Sequence, residues 1–200
     1  MTTMSVARHD CVDEHEGPWT VEDVLALPEH PARARYELVD GVLMMSPAPS
    51  WAHQIASSTL HRQIRSSIAT AEAPFLAAEG TNVIGESRLL IPDLVVVDRS
   101  AVRRETVAVS LDAVVLTVEI VSPHNRAADR ILKPALYAQA KVPAYWRVEL
   151  DPEPTVLVHE LDGDGYRETA AVTGRSSIDV AGAFAVDLDV TTLLADLDRD

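Results

Sequence analysis

Residues 114–146 read VVLTVEIVSPHNRAADRILKPALYAQAKVPAYW, and the fold turns on how this stretch opens. The run VVLTV is far shorter than the roughly 18 apolar residues of a membrane span and is rich in β-branched side chains, so it reads as a buried central strand. Glu119 then interrupts it. A carboxylate in a dry strand is costly unless a cation or hydrogen bonds compensate it, so this position calls for a chemical reason. A turn, Ser122-Pro123-His124-Asn125, leads into a helix-like segment carrying Asp129, Arg130, Lys133 and Tyr137. Because Pro134 lacks the donor that a helix interior needs, that helix either begins near Pro134 or kinks there. A strand-to-helix crossing of this kind can hold the polar groups of the helix near Glu119.

Working outward, AYWRVEL (144–150) and TVLVHEL (155–161) flank Asp-Pro-Glu-Pro as a hairpin. The next turn, Asp162-Gly163-Asp164-Gly165, is not a calcium loop of the EF-hand type, because Tyr166 stands at its fifth position and Thr173 at its twelfth. YRETAAV (166–172) and SSIDV (176–180) read as strands and VTTLLADL (190–197) as a short helix. On the other side lies LLIPDLVVVD (89–98), in which Pro92 cannot donate to a ladder and so marks an edge, a bulge or a strand start beside Asp93. FLAAEGTNVIG (75–85) is also strand-like. Ser50 caps a helix through Trp51, Ile55, Leu60, Ile64 and Ile68, with His53 and Gln54 in its first turn. YELVDGVLMM (36–45) puts Asp40-Gly41 between two apolar runs, a hairpin signal with Glu37 near its start. TVEDVLALP (20–28) has the N-cap hydroxyl and following acid of a short helix that stops at Pro28.

Two hundred residues, 47% of them hydrophobic, suit one domain, expected over 18–200 after a polar, flexible tail at 1–17. His9, Cys11 and His15 in that tail fit none of the usual zinc spacings. With one cysteine, no secretory signal pattern and no membrane-length apolar run, the expectation is a soluble cytoplasmic protein without a membrane partner. The formal charge of −14 argues against holding duplex DNA through a broad basic surface. Lys133 and Lys141 are the only lysines, a scarcity that high-GC coding explains by default.

Glu37, Asp93 and Glu119 each sit at or near strand-like sequence, and Lys133 follows the strand of Glu119. Two carboxylates converging from neighbouring strands can hold Mg²⁺, which prefers oxygen ligands and keeps several waters. Such an ion lowers the pKa of bound water and stabilises charge on a phosphoryl oxygen, while a lysine orients the water or offsets phosphate charge. Among 31 acids, however, some fall beside strands by chance, so spacing alone leaves both readings open.

The series YELVDGVLMMSPAPSWAHQ (36–54), PDLVVVD (92–98) and LTVEIVSPHNRAADRILKPALYAQAKVPAYWRVE (116–149) resembles a large bacterial restriction-endonuclease family of unknown biological role, within the PD-(D/E)XK nuclease superfamily. The resemblance covers about residues 20–160 and implies an α/β fold with a central mixed β-sheet flanked by helices. It also implies Mg²⁺- or Mn²⁺-dependent hydrolysis of phosphodiester bonds, with nucleic acid, taken as DNA, as substrate. A homodimer is expected from the likeness and from strand edges in the β-rich C-terminal half.

Carried over by motif, Asp93 matches the Asp of the PD element and Glu119 the second acid, both as metal ligands. The usual lysine two residues after that acid is replaced by Val121, and Lys133 matches the helical lysine of this family. Glu37 matches an early Glu, as a further ligand or water-positioner, and His53, Gln54 and Tyr137 match recurrent positions. Arg62, Arg65, Arg126 and Arg130 are candidates for phosphate contacts. The competing reading is a catalytically silent protein of the nuclease fold, acting as a binding module or dimeric partner, which the acidic surface favours.

Overall fold

The computed structural model describes residue 12 and residues 15–30, 34–122 and 128–197. Most of the expected tail, with His9 and Cys11, lies outside the described residues, as do positions 123–125 of the expected turn and Arg126.

Thr20 caps helix α1 (Val21–Ala26): its hydroxyl accepts from the Asp23 N–H while the Asp23 carboxylate accepts from the Thr20 N–H. Strands β1 (Arg35–Val39) and β2 (Val42–Ser46) form the expected hairpin, with Asp40 and Gly41 at φ 48° and 86° in its two-residue turn. Ser50 caps α2 (Trp51–Thr70), where Ala56, Leu60, Ile64 and Ile68 recur every fourth residue as a buried stripe. Strands β3 (Phe75–Glu79) and β4 (Asn82–Ile84) follow.

The stretch around Pro92 divides into β5 (Arg88–Leu90) and β6 (Leu94–Asp98), which belong to different sheets. A proline suits the changeover, because a residue between two ladders owes no donor to either. Next come β7 (Ala108–Ser110) and β8 (Val114–Ile120), the latter being the strand that holds Glu119. A π-helical turn, Ala128–Leu132, runs into α3 (Lys133–Gln139), with Pro134 in the first turn of α3. Of the two alternatives at Pro134, the α-helix therefore begins there, where a missing N–H needs no acceptor.

The chain closes with β9 (Ala144–Glu149), β10 (Thr155–Asp162), β11 (Gly165–Val172), β12 (Arg175–Asp179) and β13 (Ala185–Asp189). The central sheet has the order β11-β10-β9-β8-β6-β3. It is mixed, since β8 runs parallel to β9 and antiparallel to β6. A five-stranded sheet, β2-β1-β5-β4-β7, carries the N-terminal elements, and β12-β13 form a separate ribbon. One face of the central sheet packs Leu94, Val96, Leu116, Val118, Ile120 and Trp146 against the stripe of α2. On the other face Leu136 and Tyr137 of α3 meet Val95, Val97 and Tyr145. The architecture is α+β, a mixed sheet flanked by helices.

One expected element fails. Instead of a helix over 190–197 there is a 3-10 turn, Val190–Thr192, after β13. The Thr191 and Thr192 hydroxyls donate back to Asp189 and Gln63 of α2 also holds the Asp189 carbonyl, local bonds that compete with helix formation. Among the described residues no helix is long and apolar enough to cross a membrane.

Candidate active site

Alternation along β8 sends Leu116, Val118 and Ile120 to the α2 side and turns Glu119 toward α3. Glu119 is 1% exposed and both of its oxygens are held from α3. Lys133 donates to Oε2 at 2.9 Å and the Tyr137 hydroxyl to Oε1 at 2.7 Å. Their spacing of four residues places both on the same face of α3, so the helix delivers an ammonium and a phenol together. Lys133 also lies 3.5 Å from Glu37 Oε1 and thus bridges two carboxylates.

Glu37 reaches this point from β1. The backbone N–H of Ile91 donates to its Oε1 at 2.9 Å and the Ser46 hydroxyl to its Oε2 at 3.1 Å. Asp93 stands where the chain changes sheets. Its Oδ2 accepts from the Ile120 N–H at 2.8 Å and lies 3.0 Å from His53 Nε2, while Oδ1 is 3.4 Å from Arg35 Nη1. His53 is one turn ahead of the stripe of α2, which aims its ring at the end of the sheet; its Nδ1 is buried without a partner among the described residues. Glu37, Asp93, Glu119, Lys133, His53, Arg35 and Ser46 all line one cavity of about 260 Å³.

Two carboxylates here are driven apart. Burial pushes Glu119 up to about 8, with the charges of Asp93 and Glu37 adding to it and Lys133 and Tyr137 only partly offsetting it. Burial acts on Asp93 too, but the His53 ring, the Lys133 charge and the Ile120 N–H outweigh it and hold this carboxyl below its ordinary value. Burial and the neighbouring Glu119 and Glu37 charges push the Tyr137 hydroxyl well up, so it remains a donor.

Among the described residues, no three His, Cys, Asp or Glu side chains form a ready-made metal cage. Mg²⁺ does not require one, since one or two carboxylates and several waters suffice. The donor set fits such an ion: oxygen ligands facing a cavity, with a buried Glu119 whose charged form lacks enough positive charge around it.

Four sequence candidates, Gln54, Arg62, Arg65 and Arg130, do not line this cavity. Gln54 is exposed, and its Nε2 donates to the Pro49 carbonyl at 3.2 Å, tying down the loop before α2. Neighbouring helical residues diverge by about 100°, so His53 and Gln54 cannot aim at one cavity. Arg130 makes two bonds to Glu149, at 2.9 and 2.8 Å, and does not line the cavity. Arg35 and Ser46 were not expected, although Arg35 is two residues before Glu37 and period-2 alternation puts both on one face. Ser46 is the register partner of Arg35 across the hairpin.

A solved structure described as "a putative nuclease belonging to DUF820 from Anabaena variabilis ATCC 29413" superposes with a TM-score of 0.68 at 21% identity, covering 89% of this chain and 98% of that one. At that identity the likeness shows the fold. No curated protein matches the chain. The model of the Uma2 family, described as "Putative restriction endonuclease", matches residues 21–192. The chain belongs to the Uma2 family.

Proposed function

We propose that this protein is a Mg²⁺- or Mn²⁺-dependent endonuclease that hydrolyses phosphodiester bonds of DNA. The observation that carries the reading is the meeting of Glu37, Asp93, Glu119 and Lys133, drawn from two strands, the β5–β6 connection and a helix, at one cavity. Family membership and the fold of the nuclease neighbour support the same class of chemistry.

In this reading Asp93 and Glu119 hold the cation, which when bound makes a coordinated water acidic and steadies charge on the phosphoryl oxygens. His53 and the Ile120 N–H fix Oδ2 of Asp93, while Oδ1 has only the long 3.4 Å contact with Arg35 among the described residues. Tyr137 fixes the rotamer of Glu119 through Oε1. Lys133, held between Glu119 and Glu37, presents a fixed ammonium to the attacking water and the phosphate. Glu37 orients that ammonium, being itself anchored by Ile91 and Ser46. For a silent interaction module the same interior would be better filled by apolar side chains, because a buried ion pair adds little stability over them.

The test is incubation of duplex, single-stranded and branched DNA, with RNA alongside, in Mg²⁺ or Mn²⁺. DNA cleavage that stops on chelation and is missing in Asp93→Asn supports the proposal. A clean preparation that cleaves none of these substrates refutes it.

A further inference from the structure

Lys133 and Arg35 are both cations lining the cavity, yet they are held differently. The side chain of Lys133 is 11% exposed and is committed to Glu119 and Glu37. That of Arg35 is 34% exposed, and among the described residues its one contact with a carboxylate is a long 3.4 Å approach to Asp93. Asp93 already has shorter bonds, 2.8 and 3.0 Å, from the Ile120 N–H and His53, so Arg35 is not what satisfies it.

The guanidinium sits beside bare backbone. Gly80, at φ 53°, lies directly against it: a Cβ there would come 3.1 Å from Nη2 and 3.4 Å from Cζ. The Gly80 N–H donates to the Asp93 carbonyl at 3.1 Å, which ties this bare surface to the backbone of the site. The flat group therefore rests on a glycine that leaves it room, at the cavity wall, with donors to spare. Arg has five donors in a planar fork suited to phosphate.

Charge balance says what those donors await. With all three carboxylates ionised, as they are when Glu119 gives up its proton to hold a cation, the cavity's two cations leave one negative charge in excess. A divalent cation reverses this to one positive charge, which a phosphodiester monoanion neutralises. Without Arg35 the loaded site would be neutral before substrate arrived.

We propose that Arg35, seated on Gly80, binds a non-bridging oxygen of the substrate phosphodiester. The proposal rests on the nuclease reading and adds a substrate ligand to it. Arg35→Ala, Arg35→Lys and Gly80→Ala are compared with wild type by fluorescence anisotropy on a DNA duplex across a salt series, with Ca²⁺ present. Thermal melting and a Mn²⁺ titration accompany each variant.

Arg35→Ala should weaken DNA binding about tenfold irrespective of sequence and lower the salt slope by about 1, while Mn²⁺ binding is kept or tightened. Arg35→Lys restores the slope and part of the affinity. Gly80→Ala, which displaces the guanidinium, weakens binding in the same direction with the slope largely kept, and it decides the matter should Arg35→Ala melt early. Wild-type affinity and slope in Arg35→Ala overturn this inference alone, as does loss of Mn²⁺ binding together with DNA binding. A wild-type protein that neither binds nor cleaves nucleic acid overturns the nuclease reading as well.

Discussion

The two faces of β8 carry different chemistry. Leu116, Val118 and Ile120 enter an apolar layer with α2, whereas Thr117 and Glu119, interleaved with them, look toward α3. The same contrast continues next door, where Leu94 packs on α2 and Asp93, one residue earlier, faces Arg35 and His53. Because alternate side chains of a strand point to opposite sides, one short segment both anchors the core and exposes carboxylates at a cavity. The apolar face supplies stability through burial, and the polar face spends burial on a carboxylate that its neighbours only partly satisfy.

Substitutions on either face should therefore fail in different ways. Leu60→Ala, in the stripe of α2 and fully buried, should lower unfolding free energy by about 2–5 kcal/mol with cleavage rates preserved below the melting range. Chemical denaturation beside a cleavage assay checks this, and a large rate loss in folded protein would blur the division. Lys133→Met should lower kcat by about 10²–10³-fold. Its far-ultraviolet circular dichroism should match wild type, since the helix start does not depend on the ammonium. Tyr137→Phe keeps the ring packing and loses the bond to Glu119, so metal affinity or activity should drop by roughly 10–100-fold. Equal activity in that variant would mean that Lys133 alone suffices to orient Glu119.

A different kind of effect appears in pH. Glu119 has a folded-state pKa of about 8 against an ordinary 4.5, so between these values the folded protein retains a proton that the unfolded chain releases. Its contribution to stability is complete below about 4.5 and disappears as pH rises toward about 8. Metal-free protein should melt at progressively lower temperature over that interval, and Glu119→Gln should flatten the slope. An identical slope in that variant would assign the effect to other groups.

Much of this was legible because it is local. The Asp40-Gly41 turn, the Thr20 cap and the Ser50-capped helix α2 depend on neighbours in sequence and each formed as read, although Trp51 is exposed and Ala56 rather than Ile55 joins Leu60, Ile64 and Ile68 in the buried stripe. Glu119 could be singled out because it broke an apolar run. What escaped depends on distant partners. Pro92 announced an irregularity, but nothing in its surroundings says that β5 pairs with β1 while β6 pairs with β8.

The ribbon strand β13 carries the alternation AVDLD, with Val186 and Leu188 buried, yet the apolar spacing of the following VTTLLADL drew attention to a helix. Its one turn is captured by Asp189 and Gln63, the latter 126 residues away. Arg35 was missed because its period-2 spacing from Glu37 puts both on one face without saying what that face meets; only the approach of Gly80 and Asp93 gives it a setting.

The proposed role of the polar face is that Asp93 and Glu119 together make a cation site. Titration of Mn²⁺ into wild type, Asp93→Asn and Glu119→Gln by isothermal calorimetry addresses it without reference to any substrate. Binding to the wild type that is lost in both variants is the expected result. No binding by the wild type, or unchanged binding in both variants, would contradict it.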